Sequence, residues 1–322
     1  MNRPLRLIHI LCAGLTLACG GTTAADANYP TRPVRVLVGF SPGGTSDIVA
    51  RIIGKKLADA WGQQFVVDNR AGAGGIVATE ITARAASDGY TLFFVSSSFS
   101  MQPSVTSNLP YNIQRDFAPV TLAVSSPYVL VLHPSVEARN IKELIALAKA
   151  KPGQLSSATA GPGSAIQGTA ELFNTMAGVN ILLVPYKGAV GITDLIAGQV
   201  QLSFAGLVQT MPHVRGGRLR AIAVSSAQRS ALLPDLPTVA EAGVPGYDVT
   251  IWYGLVAPAN TPRAVVAKLN AGFVKTMHAP DVKQHLTDLG VDIVGNTPEQ
   301  FAAVIRTDLD KWMKLARQTR QP

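Results

Sequence analysis

Two turns of small residues, about 120 positions apart, hold the most chemically informative pattern of this chain. Each turn follows an apolar run typical of a buried strand and precedes residues with helical periodicity. A helix that begins in such a turn leaves backbone N–H groups unpaired at the positive end of its dipole, which suits them to an anion. We therefore predict that these residues bind ligand: Phe40, Ser41, Pro42, Gly43, Gly44 and Thr45 in the first turn, and Gly161, Gly163, Ser164 and Ala165 in the second.

Asp47 follows the first of these turns, inside the first turn of the predicted helix. It could accept a hydrogen bond from the ligand or cap the helix, and both interpretations stay open, with capping favoured. The other predicted ligand-binding residues also stand where apolar runs end, and they are Gly74, Gly75, Ser97, Ser98, Tyr186, Gly188, Phe204 and Ala205. For these glycines and serines, close strand–helix packing and helix capping explain the residue types about equally well.

Ser41 also belongs to a competing pattern, Gly39-Phe40-Ser41-Pro42-Gly43, which matches the Gly-x-Ser-x-Gly nucleophile turn of α/β-hydrolases. The residue after the serine is Pro42, which has no N–H to donate to an oxyanion. The turn also comes too early for the rest of a hydrolase sheet to precede it. We therefore predict a binding protein with no catalytic residue, and a serine esterase remains the disfavoured alternative.

Composition argues against nucleic-acid binding and metal binding as the function of this chain. The 322 residues carry a formal net charge of +8, but no run of Lys and Arg interleaved with aromatics, so we predict no nucleic-acid partner. The two cysteines, Cys12 and Cys19, lie near the N-terminus, and the histidines and carboxylates show no metal-ligand spacing. We predict no metal and no cofactor.

The first residues resemble a secretory signal peptide. A short basic stretch precedes the apolar run from Leu7 to Ala18, and small residues continue as far as Ala27. We predict a leader at 1–27, cleaved near Ala27, and export to the periplasm as a soluble protein. Lipid anchoring at Cys19 is a less favoured alternative, because Thr16 stands where lipoprotein signals usually carry Leu.

Strand and helix patterns alternate along the rest of the chain, which predicts an α/β fold with mainly parallel sheets flanked by helices. Two long extended segments, Phe117–His133 and Tyr247–Pro258, interrupt the alternation, and we interpret them as crossovers between two lobes. The predicted division is 28–124 for the first part of lobe 1, 125–249 for lobe 2 and 250–322 for the second part of lobe 1. The ligand would then bind between the lobes, at the carboxyl ends of the strands.

Several longer motifs resemble one family. They are Tyr29–Arg35, Phe40–Asp47, Val67–Gly75, Asp88–Leu92, Val184–Gly188 and Leu236–Glu241. Together they are similar to the Bug family, the TctC-like periplasmic substrate-binding proteins of tripartite tricarboxylate transporters. The resemblance implies a two-lobed periplasmic-binding-protein type II fold, an interlobe pocket for small carboxylates and delivery to a membrane permease. It also implies that the turns holding Tyr186 and Gly188 line the pocket.

The sequence as a whole thus predicts a monomeric solute-binding protein with two partners, a small organic carboxylate and the integral membrane permease subunits of such a transporter. A ligand-binding sensor that signals to a membrane receptor is the alternative that the residues leave open. The identity of the carboxylate is also open, from citrate and other di- or tricarboxylates to amino acids and aromatic acids.

Overall fold

The computed structural model describes residues 28–186 and 190–319. The predicted leader with Cys19, and the predicted site residue Gly188, lie outside the described residues. Within those two ranges the strands are β1 Val34–Val38, β2 Phe65–Asn69, β3 Thr91–Ser96, β4 Phe117–Leu132, β5 Ser156–Thr159, β6 Leu182–Pro185, β7 Leu202–Gly206, β8 Arg220–Val224, β9 Thr250–Pro258 and β10 Asp292–Ile293. The helices are α1 Thr45–Trp61, α2 Ile76–Ala83, α3 Ser98–Val105, α4 Ile141–Ala150, α5 Ala165–Ala177, α6 Val190–Ile196, α7 Leu207–Arg215, α8 Arg263–Met277, α9 Pro280–Asp288 and α10 Pro298–Thr319.

Each lobe contains three parallel strands. In lobe 1, β1 lies between β2 and β3, with Val36 opposite Val67 on one side and Leu92 on the other. In lobe 2, β5 lies between β6 and β7. The interior strand β1 carries buried apolar side chains on both faces, Val36 on one and Leu37 on the other, as is typical of a parallel strand, whereas β5 consists of small and polar residues. Parallel strands end at the same edge of a sheet, so the turns that follow them come together.

Two long strands join the lobes, as the sequence predicts. The strand β4 pairs antiparallel with β9 from Phe117 to Pro127, and then with β7 and β8 from Tyr128 to Leu132. It therefore runs through the sheets of both lobes. The strand β9 begins at Thr250, three residues later than the predicted crossover. The predicted fold class, two lobes of α/β architecture connected by crossover strands, is confirmed.

Hydrophobic periodicity predicts helices at Asp47–Trp61, Ile76–Ala86, Ile141–Ala150, Ala165–Ala177, Ala189–Ala197, Pro262–Met277 and Pro298–Gln318. Three helices of the structure, α3, α7 and α9, are absent from that set. Proline lies inside two of them, at Pro103 in α3 and Pro212 in α7, and proline normally predicts the end of a helix. In α3 the first two turns are buried against the rest of the protein, so packing outweighs the local preference. The omission matters, because α3 and α7 both begin at the cleft.

The C-terminal helix α10 completes lobe 1. Its Phe301 is fully buried and packs edge-on against Trp252 of β9, with ring centroids 5.3 Å apart. The carboxylate of Asp308, about two helical turns after Phe301, accepts a 3.2 Å hydrogen bond from Trp252 Nε1. The helix α10 is amphipathic. Among all helices in residues 28–186 and 190–319, none is both long and apolar enough to cross a membrane.

Candidate functional site

A cavity of about 360 Å³ lies between the lobes, at the carboxyl ends of the strands. Turns from both sheets and one residue from each crossover form its wall. In chain order the lining residues are Gly39, Phe40, Ser41, Gly44, Thr45, Ser46, Ala71, Gly72, Ala73, Gly74, Ser96, Ser98, Tyr128, Ala160, Ser164, Ala165, Ile166, Tyr186, Gly206, Gln209 and Tyr253. Its volume falls in the range typical of small-molecule sites.

The turn between β1 and α1 is held rigid by a chain of hydrogen bonds. The Asp47 carboxylate accepts from the backbone N–H of Gly43 at 2.9 Å and from Arg51 Nε at 2.9 Å. Arg51 also donates to Asn69 Oδ1, and Asn69 Nδ2 donates to the carbonyl of Phe40. Burial acts to raise the pKa of Asp47, but the hydrogen bonds from Arg51 and Gly43 outweigh it and hold the pKa below its usual value.

In this network Asp47 acts as a cap, which is the interpretation that the sequence favours, and contact between Asp47 and a ligand stays a prediction. Asp47 is 4% exposed, lies outside the cavity lining and caps the turn before its own helix. The N–H of Gly43 is used by that cap. The N-cap of α1 is Gly44, which has no side chain to cap the first N–H groups of the helix. Thr45 and Ser46, which carry those groups, line the cavity.

In lobe 2 the second glycine turn opens α5 in a similar way. Ser164 is the N-cap, and its hydroxyl accepts from the N–H of Gln167 at 3.2 Å and donates to the carbonyl of Gly161 at 2.6 Å. The N–H of Ala165 crosses to lobe 1 and donates to Ser98 Oγ at 2.9 Å. Ile166 lines the cavity one residue later. A third helix, α7, begins at the cavity with Gly206 as its N-cap and no side-chain cap.

Two tyrosines, one from each crossover strand, form part of the cavity wall. Tyr128 and Tyr253 are 5% and 6% exposed. Burial raises the pKa of Tyr253 to about 12, against a smaller opposing effect of the Thr45 hydroxyl. Burial also raises the pKa of Tyr128 well above its usual value, and the nearby Tyr253 adds to that effect. Both side chains therefore stay protonated at neutral pH and can donate hydrogen bonds.

None of the described residues that line the cavity carries a formal charge. The polar groups that remain are backbone N–H groups at helix starts, the hydroxyls of serine, threonine and tyrosine, and the amide of Gln209. Such groups can hold an anion by several oriented donors. The apolar parts of the wall, such as Ile166 and the tyrosine rings, can cover a hydrocarbon portion of the same molecule.

The geometry agrees with a comparison against known families. Residues 49–320 match the family described as the tripartite tricarboxylate transporter family receptor, TctC. The chain belongs to this family. It is 35% identical to Protein BugT of Bordetella pertussis over 322 residues, covering 99% of this chain and 98% of BugT.

Two similar solved structures contain a ligand. The Rhodopseudomonas palustris protein Rpa4515 with adipate superposes with a TM-score of 0.86 at 34% identity, covering 90% of this chain and 97% of that one. The R. palustris protein MatC with bound malate superposes with a TM-score of 0.85 at 32% identity, covering 89% and 100%. The chain is thus a Bug-like periplasmic binding protein of the TctC family with a two-lobe fold.

The structure brings part of the predicted site together at the cavity of this TctC-family protein. The predicted residues that line it are Phe40, Ser41, Gly44, Thr45, Gly74, Ser98, Ser164, Ala165 and Tyr186. The predicted residues that it places elsewhere are Pro42, Gly43, Asp47, Gly75, Ser97, Gly161, Gly163, Phe204 and Ala205. Phe204 and Ala205 lie inside β7, where Phe204 packs against Phe173 and Tyr247 in the core. Ligand contact by any of the lining residues remains a prediction.

The sequence analysis missed three lining residues that matter for the chemistry, namely Tyr128, Tyr253 and Gln209. The tyrosines lie in the middle of apolar strands, and no local pattern separates them from core residues. Gly206 is the last residue of β7 and Gln209 is the third residue of α7, so both stand where a strand ends and a helix begins. That position was the available signal for α7, and Pro212 obscured it.

Ser41 lies at the cavity, but its neighbours do not resemble a hydrolase site. None of the lining residues is a histidine. His133, for example, lies at the far end of β4 and contacts Ser135 Oγ at 2.7 Å. In the described part of the chain, no three metal-ligating side chains come together. The TctC family is a family of solute-binding proteins.

Proposed function

We propose that this protein captures a small organic carboxylate between its lobes and releases it, unchanged, to a membrane transporter. The observation that carries the proposal is a cavity whose described lining holds helix N-termini and hydroxyls but no charged side chain. Backbone N–H groups bind a carboxylate without the cost of burying a cationic side chain. Closure of the lobes removes water and strengthens each of these contacts.

The relatives support a carboxylate as the ligand. One of the two similar structures holds adipate and the other malate, and both molecules carry carboxylates at the two ends of a short carbon chain. The two neighbours cover about nine-tenths of this chain at more than 30% identity. We therefore propose the same chemical class for this protein, with adipate and malate as the first probes.

A thermal-shift screen with a carboxylate panel tests the ligand class. A ligand at 100 times its dissociation constant adds about 2.7 kcal/mol of stability, which corresponds to a rise in Tm of roughly 5 °C or more. The decisive pair of variants is Ser41→Asp and Ser41→Asn, because the two side chains have the same shape and differ in charge. Ser41 is partly buried at the cavity, and the described residues of the lining include no cation that could pair with a new carboxylate.

We expect Ser41→Asn to keep most of the ligand response and Ser41→Asp to lose it through repulsion between the two carboxylates. If Ser41→Asp still responds to the same ligand as the wild type, the carboxylate does not occupy this cavity. If no member of the panel shifts the wild type, the proposed ligand class is wrong.

We propose the integral membrane permease of a tripartite tricarboxylate transporter as the partner that receives the ligand. Cells that lack this chain should fail to accumulate the radiolabelled ligand, and uptake should return with the wild type but not with Ser41→Asp. Uptake that does not depend on this chain, while the purified protein still binds the ligand, would favour a sensor that signals to a membrane receptor instead.

Export and organisation complete the proposal. We propose that the protein is a periplasmic monomer, cleaved near Ala27, with lobe 1 formed by residues 28–124 and 250–322 and lobe 2 by residues 125–249. The mass of the protein in the periplasmic fraction shows whether the leader has been removed. Removal also takes away two arginines and one aspartate, which leaves a formal net charge of +7. A lipid at Cys19 would instead give a heavier, membrane-bound product.

A further inference from the structure

The two lobes touch, backbone against backbone, at one side of the cavity. The contact joins the turn Ala71–Gly75 of lobe 1 to Pro162 and Gly163 of lobe 2. A Cβ atom built on Gly74 would lie 2.9 Å from the carbonyl carbon of Gly163 and 2.9 Å from the carbonyl oxygen of Pro162. Carbon atoms in real proteins do not approach so closely, so the lobes can meet here only because residue 74 has no side chain.

Neither side of this contact can move away easily. The carbonyl of Gly74 accepts a 3.1 Å hydrogen bond from Gln102 Nε2, and the buried Tyr111 hydroxyl donates to Gln102 Oε1 at 2.6 Å. On the lobe 2 side, the carbonyl of Gly161 accepts a 2.6 Å hydrogen bond from the Ser164 hydroxyl, which holds the turn that contains Pro162 and Gly163. A Cβ built on Gly163 would lie 3.2 Å from Val105 Cγ2 of α3, so a second close approach between the lobes lies beside the first.

A buried hydrogen bond lies next to the contact. The N–H of Ala165, at the start of α5, donates to Ser98 Oγ, at the start of α3, at 2.9 Å. Ser98 is 4% exposed and Ala165 is 2% exposed. This bond joins the lobes directly, and separating the lobes breaks it.

We propose that Gly74 is a positioning residue for closure of the lobes. The contact of the Ala71–Gly75 turn with Pro162–Gly163, together with the Ser98–Ala165 hydrogen bond, determines how completely the lobes close over the ligand. This inference rests on the proposed function, in which closure creates the binding-competent state. A side chain at position 74 then weakens ligand binding without removing any donor, because it lowers the fraction of molecules that close.

The test uses Gly74→Ala with Gly62→Ala as its matched control. Gly74 has φ +64° and Gly62, the C-cap of α1, has φ +66°, so both substitutions impose the same backbone strain. A Cβ on Gly62 meets nothing within 4 Å, whereas a Cβ on Gly74 meets the opposite lobe. Any difference between the variants beyond their shared loss of Tm therefore reports on the contact between the lobes.

Closure is measured as the distance between two spin labels, one on each lobe, by pulsed electron paramagnetic resonance. The sequence has no cysteine after Cys19, so Lys55→Cys on α1 and Lys149→Cys on α4, both exposed positions on opposite lobes, place the labels without competition in the exported protein. Distances are recorded on the protein as isolated and with millimolar adipate, malate or citrate. We expect the wild type and Gly62→Ala to populate a short distance, and Gly74→Ala to lose that population by about tenfold or more, with an equal loss of affinity.

Ser98→Ala provides a second, milder variant that removes the acceptor of the Ala165 N–H. Because Ser98 also lines the cavity, this variant is compared on the protein without added ligand. Loss of one such hydrogen bond should lower the closed population roughly 2- to 12-fold. A closed population in Gly74→Ala equal to that of Gly62→Ala overturns the proposal, as does a wild type that shows no short distance under any condition. If no probe binds but the isolated proteins still differ as expected, the ligand class fails and the closure contact stands.

Discussion

Changing the pH should leave ligand affinity almost unchanged between pH 6 and pH 9. The described residues that line the cavity include no Asp, Glu, His, Lys or Arg, so no side chain there titrates near neutrality. The lining groups that can ionise are tyrosines. A carboxylate ligand with an ordinary pKa near 4 is itself about 99% ionised at pH 6.

The pKa of Tyr253 limits how much the ligand affinity can change at the alkaline end of this pH range. With a pKa of about 12, roughly 0.1% of Tyr253 is ionised at pH 9. An ordinary tyrosine, with a pKa near 10, would be about 10% ionised at the same pH. Tyr128 is shifted in the same direction by burial. We therefore expect Kd to change by less than about twofold across this range.

Isothermal titration calorimetry of the ligand identified in the thermal-shift screen measures this directly. Repeating it in buffers of different ionisation enthalpy should show no net uptake or release of protons. Gln209→His is the positive control, because it places a titrating group in the wall, and its affinity should rise as the pH falls below about 6.5. A step larger than about threefold in the wild type, with a midpoint between pH 6 and 8, would refute a site without charged side chains.

Three further predictions concern stability. Burial raises the pKa of Asp308 to about 6, so the charged form of this residue destabilises the fold. Between pH 7 and pH 4 the wild type should gain roughly 2 kcal/mol of unfolding free energy relative to Asp308→Asn. Urea denaturation at the two pH values measures this difference. Asp47 has a lowered pKa in the folded protein, so its contribution to stability is present above about pH 4 and is lost as the pH falls through that lowered pKa. Asp47→Asn should therefore lower the unfolding free energy by on the order of 1 kcal/mol at pH 7. In acid, the Tm of this variant should approach that of the wild type. Ser164→Ala removes the cap of α5 and should cost about 1 kcal/mol of stability, measured in the same way, while leaving affinity within roughly tenfold of the wild type.

Much of the fold follows from local patterns along the chain. The apolar run at Val34–Val38 and the periodicity after Gly44 predict β1 and α1, and the long extended segments predict β4 and β9. These elements are confirmed because their hydrophobic period matches the surface that each one buries. The helices α3 and α7 fail the same reasoning, since each contains a proline and is stabilised by its tertiary packing.

The sequence by itself determined which backbone segments can bind an anion, because a glycine or a small residue before a helix leaves its first N–H groups uncovered wherever that helix lies in the fold. The tertiary structure alone decided which of those groups remain free. It assigns the N–H of Ala165 to Ser98, 67 positions away in the chain. It also brings Tyr128 and Tyr253, 125 residues apart in the chain, to the same wall. Hydrogen bonds and contacts between distant residues depend on how strands pair and lobes meet, and no local pattern carries that information.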